Sequence, residues 1–187
     1  MKYIFFLLVA VFACAGCNQK QGSNVDQAID TLSNQAPITN GQPKAWKTPA
    51  DLMTHSDAEI ILGGKASLMD SVTSIDSDVP TYKTTHTAHE VDTAGLLSNL
   101  YFMYEDYPTE EGAMRIYRSI RASDMAKPGF VNLTGMGDEA CFHTDGTFYY
   151  FMSRKGRRMI RLKVNKVTER TSLLAFQEIS KRITDSL

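Results

Sequence analysis

The chain of 187 residues carries 20 Lys and Arg against 21 Asp and Glu, which gives a formal net charge of −1. This balance provides no general attraction to nucleic acid or to anionic lipid, so neither class of partner is expected from charge. Residues 46–187 are numerous enough to bury one hydrophobic core, and the sequence shows no internal repeat. We therefore expect a single folded domain over 46–187.

The N-terminus has the layout of a secretory signal. Lys2 is followed by an apolar run, and small residues precede Cys17. The run is too short to cross a membrane and remain there, which predicts a cleaved signal over residues 1–16. The ending Ala15-Gly16-Cys17 resembles the lipobox of bacterial lipoproteins, although Cys14 stands where that family usually has a Leu-like residue. The resemblance implies that Cys17 is lipidated with a diacylglycerol and becomes the new N-terminus.

The lipobox resemblance also carries an expectation about location. Two or more acyl chains anchor a protein stably, because each buried methylene contributes about 0.8 kcal/mol. Asn18, rather than Asp, follows the cysteine, and by enterobacterial sorting rules this implies an outer-membrane lipoprotein of the cell envelope, facing the periplasm. We thus expect a membrane contact through the N-terminal lipid and no nucleic-acid partner. An ordinary cleaved signal with a chance cysteine is the alternative.

The segment after Cys17 is rich in Asn, Gln, Ser and Gly and poor in aromatic residues. This composition predicts a flexible tether over residues 17–45. Trp46 is the first large apolar residue after it. We interpret Trp46 as the point where the folded domain begins.

Helical and strand patterns alternate through the first half of the domain. Thr48-Pro49-Ala50-Asp51 and the capping box Ser56-Asp57-Ala58-Glu59 predict two helix starts, and Gly63-Gly64 predicts a helix end. Apolar periodicity then predicts the other elements. They are two weak strands over 65–75 and 81–87, a central strand over 96–105, a helix over 108–122, a strand over 130–133 and a final helix over 171–186.

Residues 137–164 predict a three-stranded antiparallel meander with two tight turns. Asp145-Gly146 is a strong signal for a two-residue turn, and Lys155-Gly156 is a weaker one. These turns would place Phe142 opposite Tyr149 and Phe151 opposite Ile160. Both turns assign the same residues to one face, which we predict to be the core face: Ala140, Phe142, Tyr149, Phe151, Ile160 and Leu162. The fold class is therefore α+β, an antiparallel sheet with a C-terminal three-stranded meander packed on one face by two to three helices.

The opposite face of the meander mixes aromatic, sulfur-containing and charged residues. One interpretation is a solvated sheet face, or one covered by residues 65–95. The other is a surface for an envelope protein or a small polar ligand, because clustered exposed aromatic side chains usually have a binding role. The candidate binding residues are His143, Phe148, Tyr150, Met152 and Arg161. The basic stretch from Arg154 to Arg161 is interpreted as a solvated hairpin tip.

Residues 131–140 contain Gly135-Met136-Gly137-Asp138-Glu139-Ala140. This stretch resembles a Gly-x-Gly-Asp-Glu-Ala hairpin motif of small, mostly uncharacterised bacterial lipoproteins with a PsbP/Mog1-like sheet-and-helix domain. The resemblance covers residues 46–187 and implies a fold and an envelope location. It implies no catalytic residue, because such domains mostly act as binding or accessory modules. From the residues alone, the two glycines indicate a tight turn into the meander.

Few residues suggest chemistry. Cys141 is the only cysteine after Cys17, and His143 is on its face. A thiol enzyme would need these two side chains closer than two residue rises along a strand. His86 and His89 are followed by Glu90, but the order HxxHE is not a zinc-protease motif. We expect a non-enzymatic binding or accessory module without catalytic residues, metal or other cofactor. The alternative is an envelope metal-binding or thiol-dependent enzyme that uses Cys141, His143 and the His86/His89 cluster, with His55 as a possible further metal ligand.

Overall fold

Residues 48–187 are described by a computed structural model. The predicted signal, Cys17, the tether and Trp46 lie outside the described residues. The helices are α1 (Pro49–Leu52), α2 (His55–Leu62), α3 (Glu110–Asp124) and α4 (Leu173–Ser186). The strands are β1 (Ala66–Ser74), β2 (Thr81–Ala88), β3 (Asn99–Asp106), β4 (Val131–Leu133), β5 (Glu139–His143), β6 (Phe148–Lys155) and β7 (Arg158–Asn165).

Within the described residues, seven strands form one antiparallel sheet in the order β1-β2-β3-β7-β6-β5-β4. The predicted α+β class with an antiparallel sheet is confirmed. Strands β5, β6 and β7 follow one another as neighbours, and β7 pairs with β3 in the middle of the sheet. The apolar stretch predicted as a central strand is β3. No helix in the range 48–187 is long and apolar enough to cross a membrane.

Helix α2 begins two residues earlier than the sequence predicted. Its N-cap is Thr54, whose hydroxyl accepts a hydrogen bond from the Asp57 amide, while the Asp57 carboxylate accepts from Thr54 in return. This is a capping box with Thr54 and Asp57, so the predicted box from Ser56 to Glu59 is wrong. The predicted end of the helix is confirmed at Gly63, which has a φ of 76°.

The first turn of the meander has the predicted location, the second lies one residue later than predicted, at Gly156-Arg157, and the register of both hairpins differs by two residues. Phe142 is opposite Phe151, and Phe151 is opposite Leu162. At the first turn only Gly146 has a positive φ, because the Asp145 and Thr144 side chains accept hydrogen bonds from the amides of Thr147 and Gly146 and stabilise a longer loop. A shift of two residues keeps each side chain on its face, since strand side chains alternate with period two.

The predicted core face is confirmed as the first face of the sheet. Its six predicted residues all belong to one buried apolar cluster, which continues into α2 and α4 through Ile61, Phe176 and Ile183. Large residues such as Phe151 and Leu162 are 2% and 0% exposed. Burial of side chains of this size contributes about 1.5–3 kcal/mol each.

The second face also has a core, which the sequence analysis did not predict. Helix α3 packs against β6 and β7 on this side and buries Ala113 and Tyr117 against Cys141, Met152 and Met159. Two helices therefore cover the first face and a third covers part of the second, so the prediction that the helices share one face needs correction. Residues 65–95 mainly form β1 and β2 within the sheet, and of this segment only Val79, in the β1–β2 loop, packs against the second-face core among the described residues.

Candidate functional site

The predicted binding residues do share the second face, but α3 buries two of them. Cross-strand pairs join His143 to Tyr150 and Met152 to Arg161. Met152 is 0% exposed and His143 is 5% exposed. These two side chains therefore belong to the core beneath α3 and are not available to a partner. Phe148, Tyr150 and the Arg161 side chain are partly exposed.

The second face also carries an aromatic patch that we define as Tyr101, Phe148, Tyr150 and Lys163; Tyr101 and Lys163 are exposed, whereas Tyr150 packs in part against the core under α3. Tyr101 is directly opposite Lys163, which is directly opposite Tyr150, so three strands contribute to one row. Tyr101 is 40% exposed. The Lys163 ammonium lies 6.0 Å from the centre of the Phe148 ring. Tyr101 was missed from the sequence because its strand is apolar on both faces.

Arg161 is already engaged by a neighbouring strand. Its Nη2 atom lies 2.8 Å from Glu105 Oε1, and the Glu105 side chain is only 12% exposed. Glu105 also contacts Tyr107, and burial, followed by the charge of Glu105, raises the pKa of Tyr107 to about 12. Arg161 therefore stabilises a buried carboxylate, and Lys163 is the more accessible cation of this face.

His143 lies at the end of α3, between charged and aromatic neighbours. Its Nε2 atom is 4.0 Å from Asp124 Oδ2, and Lys127 forms an ion pair with the same carboxylate at 2.5 Å. Phe148 and Tyr150 flank the imidazole with ring centres 4.9 Å away. Burial lowers the pKa of His143, and the negative charge of Asp124 partly opposes this. The packing of His143 is that of a buried polar core residue rather than of a ligand-binding residue.

The environment of Cys141 disfavours a reactive thiolate. The residue is 0% exposed, and burial raises the pKa of its thiol although a hydrogen bond with Tyr117 acts in the opposite direction. Reactive cysteines are generally accessible and have a lowered pKa. His143 is two residues away on the same strand and is directed toward Asp124. The alternative thiol site therefore lacks both access and an activated nucleophile.

The histidines proposed for a metal site do not meet. His86 lies on the first face in β2, opposite Leu100, whereas His143 lies on the second face in β5. His89 follows the end of β2 and forms a 2.6 Å hydrogen bond with Ser67. The part of the chain from 48 to 187 contains no group of three or more His, Cys, Asp or Glu side chains placed to hold a metal ion. The alternative site composed of Cys141, His143 and the His86/His89 cluster is therefore not assembled. His55, by contrast, does lie beside His86, with ring centres 5.7 Å apart.

The Gly-x-Gly-Asp-Glu-Ala stretch surrounds a buried arginine, and we call this group the Arg154 network. Arg154 is 4% exposed and forms ion pairs with Glu110, Asp138 and Glu139 at 3.3, 3.0 and 3.1 Å. Its Nη1 atom also donates to the Gly156 carbonyl at 2.8 Å. The network joins the start of α3, the motif and the β6–β7 turn. Arg154 is thus a buried structural residue, and its predicted place in a solvated hairpin tip is wrong.

The second glycine of the motif is required for steric reasons. Gly137 has a φ of 59°, and a Cβ atom at this position would lie 2.5 Å from the Arg154 carbonyl oxygen. The next amide, of Asp138, donates to that same oxygen. The motif residues therefore fix the backbone against β6, and their geometry accounts for the pattern without a ligand.

Comparison with known proteins adds little to these observations. No family model matches the chain, and no curated protein matches it. Among solved structures, the crystal structure of the extracellular domain of PknH from Mycobacterium tuberculosis is similar with a TM-score of 0.42 and 12% identity, covering 70% of this chain and 89% of that one. This similarity is too weak to carry an argument about fold or function.

Proposed function

We propose that the protein is a lipid-anchored lipoprotein of the bacterial cell envelope whose α+β domain is a non-enzymatic binding or accessory module. The anchoring half of the proposal is supported by the sequence Ala15-Gly16-Cys17 after an apolar run. In the outer membrane, with the domain facing the periplasm, the acylated Cys17 would hold the domain near its partners. The charge balance disfavours nucleic acid as one of them.

The aromatic patch supports the binding half of the proposal, and it is the observation that carries it. Tyr101, Lys163 and Tyr150 lie in one cross-strand row on adjacent central strands, so their backbone is held by the sheet. Rigid elements position binding groups more accurately than loops do. Tyrosine combines a large apolar ring with a hydroxyl, and lysine adds a charge, which suits an envelope protein or a small polar ligand.

Anchoring is tested by replacing the lipidation site. Mass spectrometry of the native mature protein should show an N-terminal Cys17 with attached acyl chains. Cys17→Ala should leave the protein unprocessed at this site and poorly retained in the membrane fraction. An unmodified Cys17 in the native mature protein would refute the anchoring half of the proposal.

The binding role is tested on two exposed members of the patch, Tyr101 and Lys163. Crosslinking and pull-down from the native envelope with wild-type protein should recover a specific partner, and the double variant Tyr101→Ala/Lys163→Ala should lose it. Ile60→Ser is the matched control, because Ile60 is 55% exposed on α2, which packs on the opposite side of the sheet. Both variants should fold with almost unchanged stability, as surface substitutions usually do. Equal partner recovery by the double variant and the control would refute the binding role of the aromatic patch.

A further inference from the structure

Two buried polar side chains without partners lie close together on β2. Thr84 and His86 are 4% and 3% exposed, and Thr84 Oγ1 and His86 Nδ1 have no hydrogen-bond partner among the described residues. They are two residues apart, so their side chains share the first face of the sheet. Buried polar atoms in folded proteins are nearly always hydrogen-bonded, and each exception needs an explanation such as a bound molecule.

These two residues line the same cleft, which we call the Thr84–His86 cleft. Its volume is about 360 Å³, and it lies between the α1–α2 segment and the strands β1 and β2. Pockets for small ligands generally measure about 300–1,000 Å³. The other lining residues are Ala50, Asp51, Met53, Thr54, His55, Leu68 and Tyr82.

Three of the other unpartnered polar atoms of the described chain belong to side chains that form ion pairs. Glu105 and Arg161 form an ion pair through their remaining atoms, and Asp106 pairs with Arg157. His143 Nδ1 has no such neighbour among the described residues, because Asp124 lies beside the other ring nitrogen, Nε2. Ser180 Oγ, a further exception, is fully buried and does not line the Thr84–His86 cleft. The combination of two neighbouring exceptions with an open volume distinguishes the Thr84–His86 cleft.

The lining groups indicate which kind of ligand would fit. Thr84, His86, Tyr82 and His55 all line the cleft, and the Thr84 hydroxyl and His86 Nδ1 are covered in the ligand-free domain, so a ligand has to displace neighbouring side chains to reach them. Burial, and then the charge of nearby His55, lowers the pKa of His86, which favours the neutral form of its imidazole. The Asp51 carboxylate accepts hydrogen bonds from the amide and hydroxyl of Thr48 in the α1 cap. These lining groups suit a ligand with hydroxyl groups, which both donate and accept hydrogen bonds, better than a charged ligand.

We propose that the Thr84–His86 cleft binds a neutral, hydroxyl-rich molecule of monosaccharide size, with Thr84 and His86 as its hydrogen-bonding residues and Tyr82 and His55 as flanking rings. A sugar ring presents both hydroxyls and an apolar face, so it can satisfy the buried polar atoms and stack on a neighbouring ring at once. This site is on the opposite face of the sheet from the aromatic patch. It does not depend on lipidation, so either proposal can fail without the other.

The test is a titration of the full chain followed through the ring ¹⁵N resonances of its histidines. The probes are glucose and N-acetylglucosamine, with glucosamine and glucuronate as cationic and anionic counterparts. We expect a neutral sugar to shift the His86 and His55 resonances in a saturable way and to leave His89 and His143 unchanged. Thr84→Val, which preserves shape, should weaken binding by about tenfold or more, as loss of one hydrogen bond of about 1.4 kcal/mol would. His89→Gln is the control and should bind as the wild type does.

Three results would overturn the proposal. The first is the absence of any saturable shift at His86 with both neutral sugars, which would assign the cleft to ordered water. The second is tighter binding of glucuronate or glucosamine than of the neutral sugars. The third is unchanged binding by Thr84→Val and by a second variant, His86→Phe.

Discussion

The Arg154 network and the Thr84–His86 cleft are both buried polar regions of the same sheet, but only the first has partners for its polar atoms within the described residues. Arg154 has three carboxylates and a carbonyl oxygen as partners, supplied by α3, the 135–140 motif and the β6–β7 turn. Thr84 Oγ1 and His86 Nδ1 have no hydrogen-bond partner within residues 48–187. Burying an unpaired charge costs much more free energy than burying a neutral hydroxyl or imidazole without a hydrogen-bond partner. A neutral group can therefore remain unpartnered until a ligand binds. The comparison separates residues that stabilise the fold from residues available for binding.

The comparison also reassigns the most recognisable stretch of the sequence. Gly135-Met136-Gly137-Asp138-Glu139-Ala140 has the appearance of a functional motif, but its carboxylates are paired with Arg154 and its second glycine makes room for the Arg154 carbonyl. The cleft, in contrast, involves a Thr and a His in a strand with no recognisable motif. In this domain, residues 135–140 stabilise the fold, and the candidate ligand site is elsewhere.

The largest expected effect follows from breaking the Arg154 network. Arg154→Met keeps much of the side-chain volume but leaves three carboxylates without their common cation. Removal of one member of a buried ion pair costs about 3–5 kcal/mol, and we expect about 3 kcal/mol here because the Glu110 and Asp138 side chains are 61% and 43% exposed and stay partly hydrated. Urea unfolding measures the loss.

Arg157→Met is the matched control for this prediction. Arg157 lies in the β6–β7 turn, three residues after Arg154, and pairs with Asp106, but its side chain is 53% exposed. An exposed ion pair contributes about 0–1 kcal/mol. Equal losses for the two variants would mean that Arg154 is no more buried in solution than Arg157, and the contrast with the cleft would disappear.

The next largest effect concerns the backbone that carries the motif. Gly137→Ala should destabilise the domain by roughly 2 kcal/mol more than Gly146→Ala, because both positions have positive φ but only Gly137 faces a backbone oxygen at 2.5 Å from the added Cβ. The Gly146 position has no atom within 4 Å of that Cβ. Thermal unfolding of both variants checks the difference. Indistinguishable midpoints would show that the motif does not pack tightly against β6.

Much of this fold could be predicted from the sequence, because strand and helix periodicities are local. The α+β class, the first-face core of the meander and the αL end of α2 at Gly63 followed from alternation and glycine placement. The hairpin register did not, because the Thr144 and Asp145 side chains hydrogen-bond to the loop amides and select a longer turn. Burial of the second face depends on the packing of α3 against β6 and β7. The apolar stripe of a helix predicts that it packs on a sheet, but not on which face.

The candidate sites were less predictable, since they depend on contacts between distant segments. The five predicted binding residues share a face as strand alternation required, but burial of His143 and Met152 by α3 could not be read from their own strands. His55 and His86 were considered as possible metal ligands, and they do lie side by side, but through docking of α2 on β2. The unpaired hydroxyl of Thr84 had no signal in the sequence at all.

The pH dependence of stability should report on the buried imidazole of the cleft. The folded-state pKa of His86 is lowered below its ordinary value of 6.5, so the unfolded chain binds the proton more readily. Its contribution to stability is therefore full above pH 6.5 and decreases as the pH falls below that value toward the folded pKa. His86→Phe should flatten the acid side of the stability curve in this window, whereas His89→Gln should not. Parallel curves for wild type and His86→Phe would indicate a hydrated imidazole.

The most direct test compares a buried hydroxyl that has a hydrogen-bond partner with one that has none. Each hydroxyl is removed by a substitution that changes the side-chain shape little. Ser153 is fully buried, and its hydroxyl hydrogen-bonds to Thr184 at 2.7 Å, so Ser153→Ala should destabilise the domain by about 1–2 kcal/mol. Thr84→Val removes a hydroxyl that has no partner, and it should leave the ligand-free domain equally stable or more stable by about 1 kcal/mol. Urea unfolding of both variants without sugar gives the two changes in free energy. Opposite behaviour of the two variants is the predicted result, and a loss for Thr84→Val as large as that for Ser153→Ala would contradict it by showing that the Thr84 hydroxyl is already satisfied.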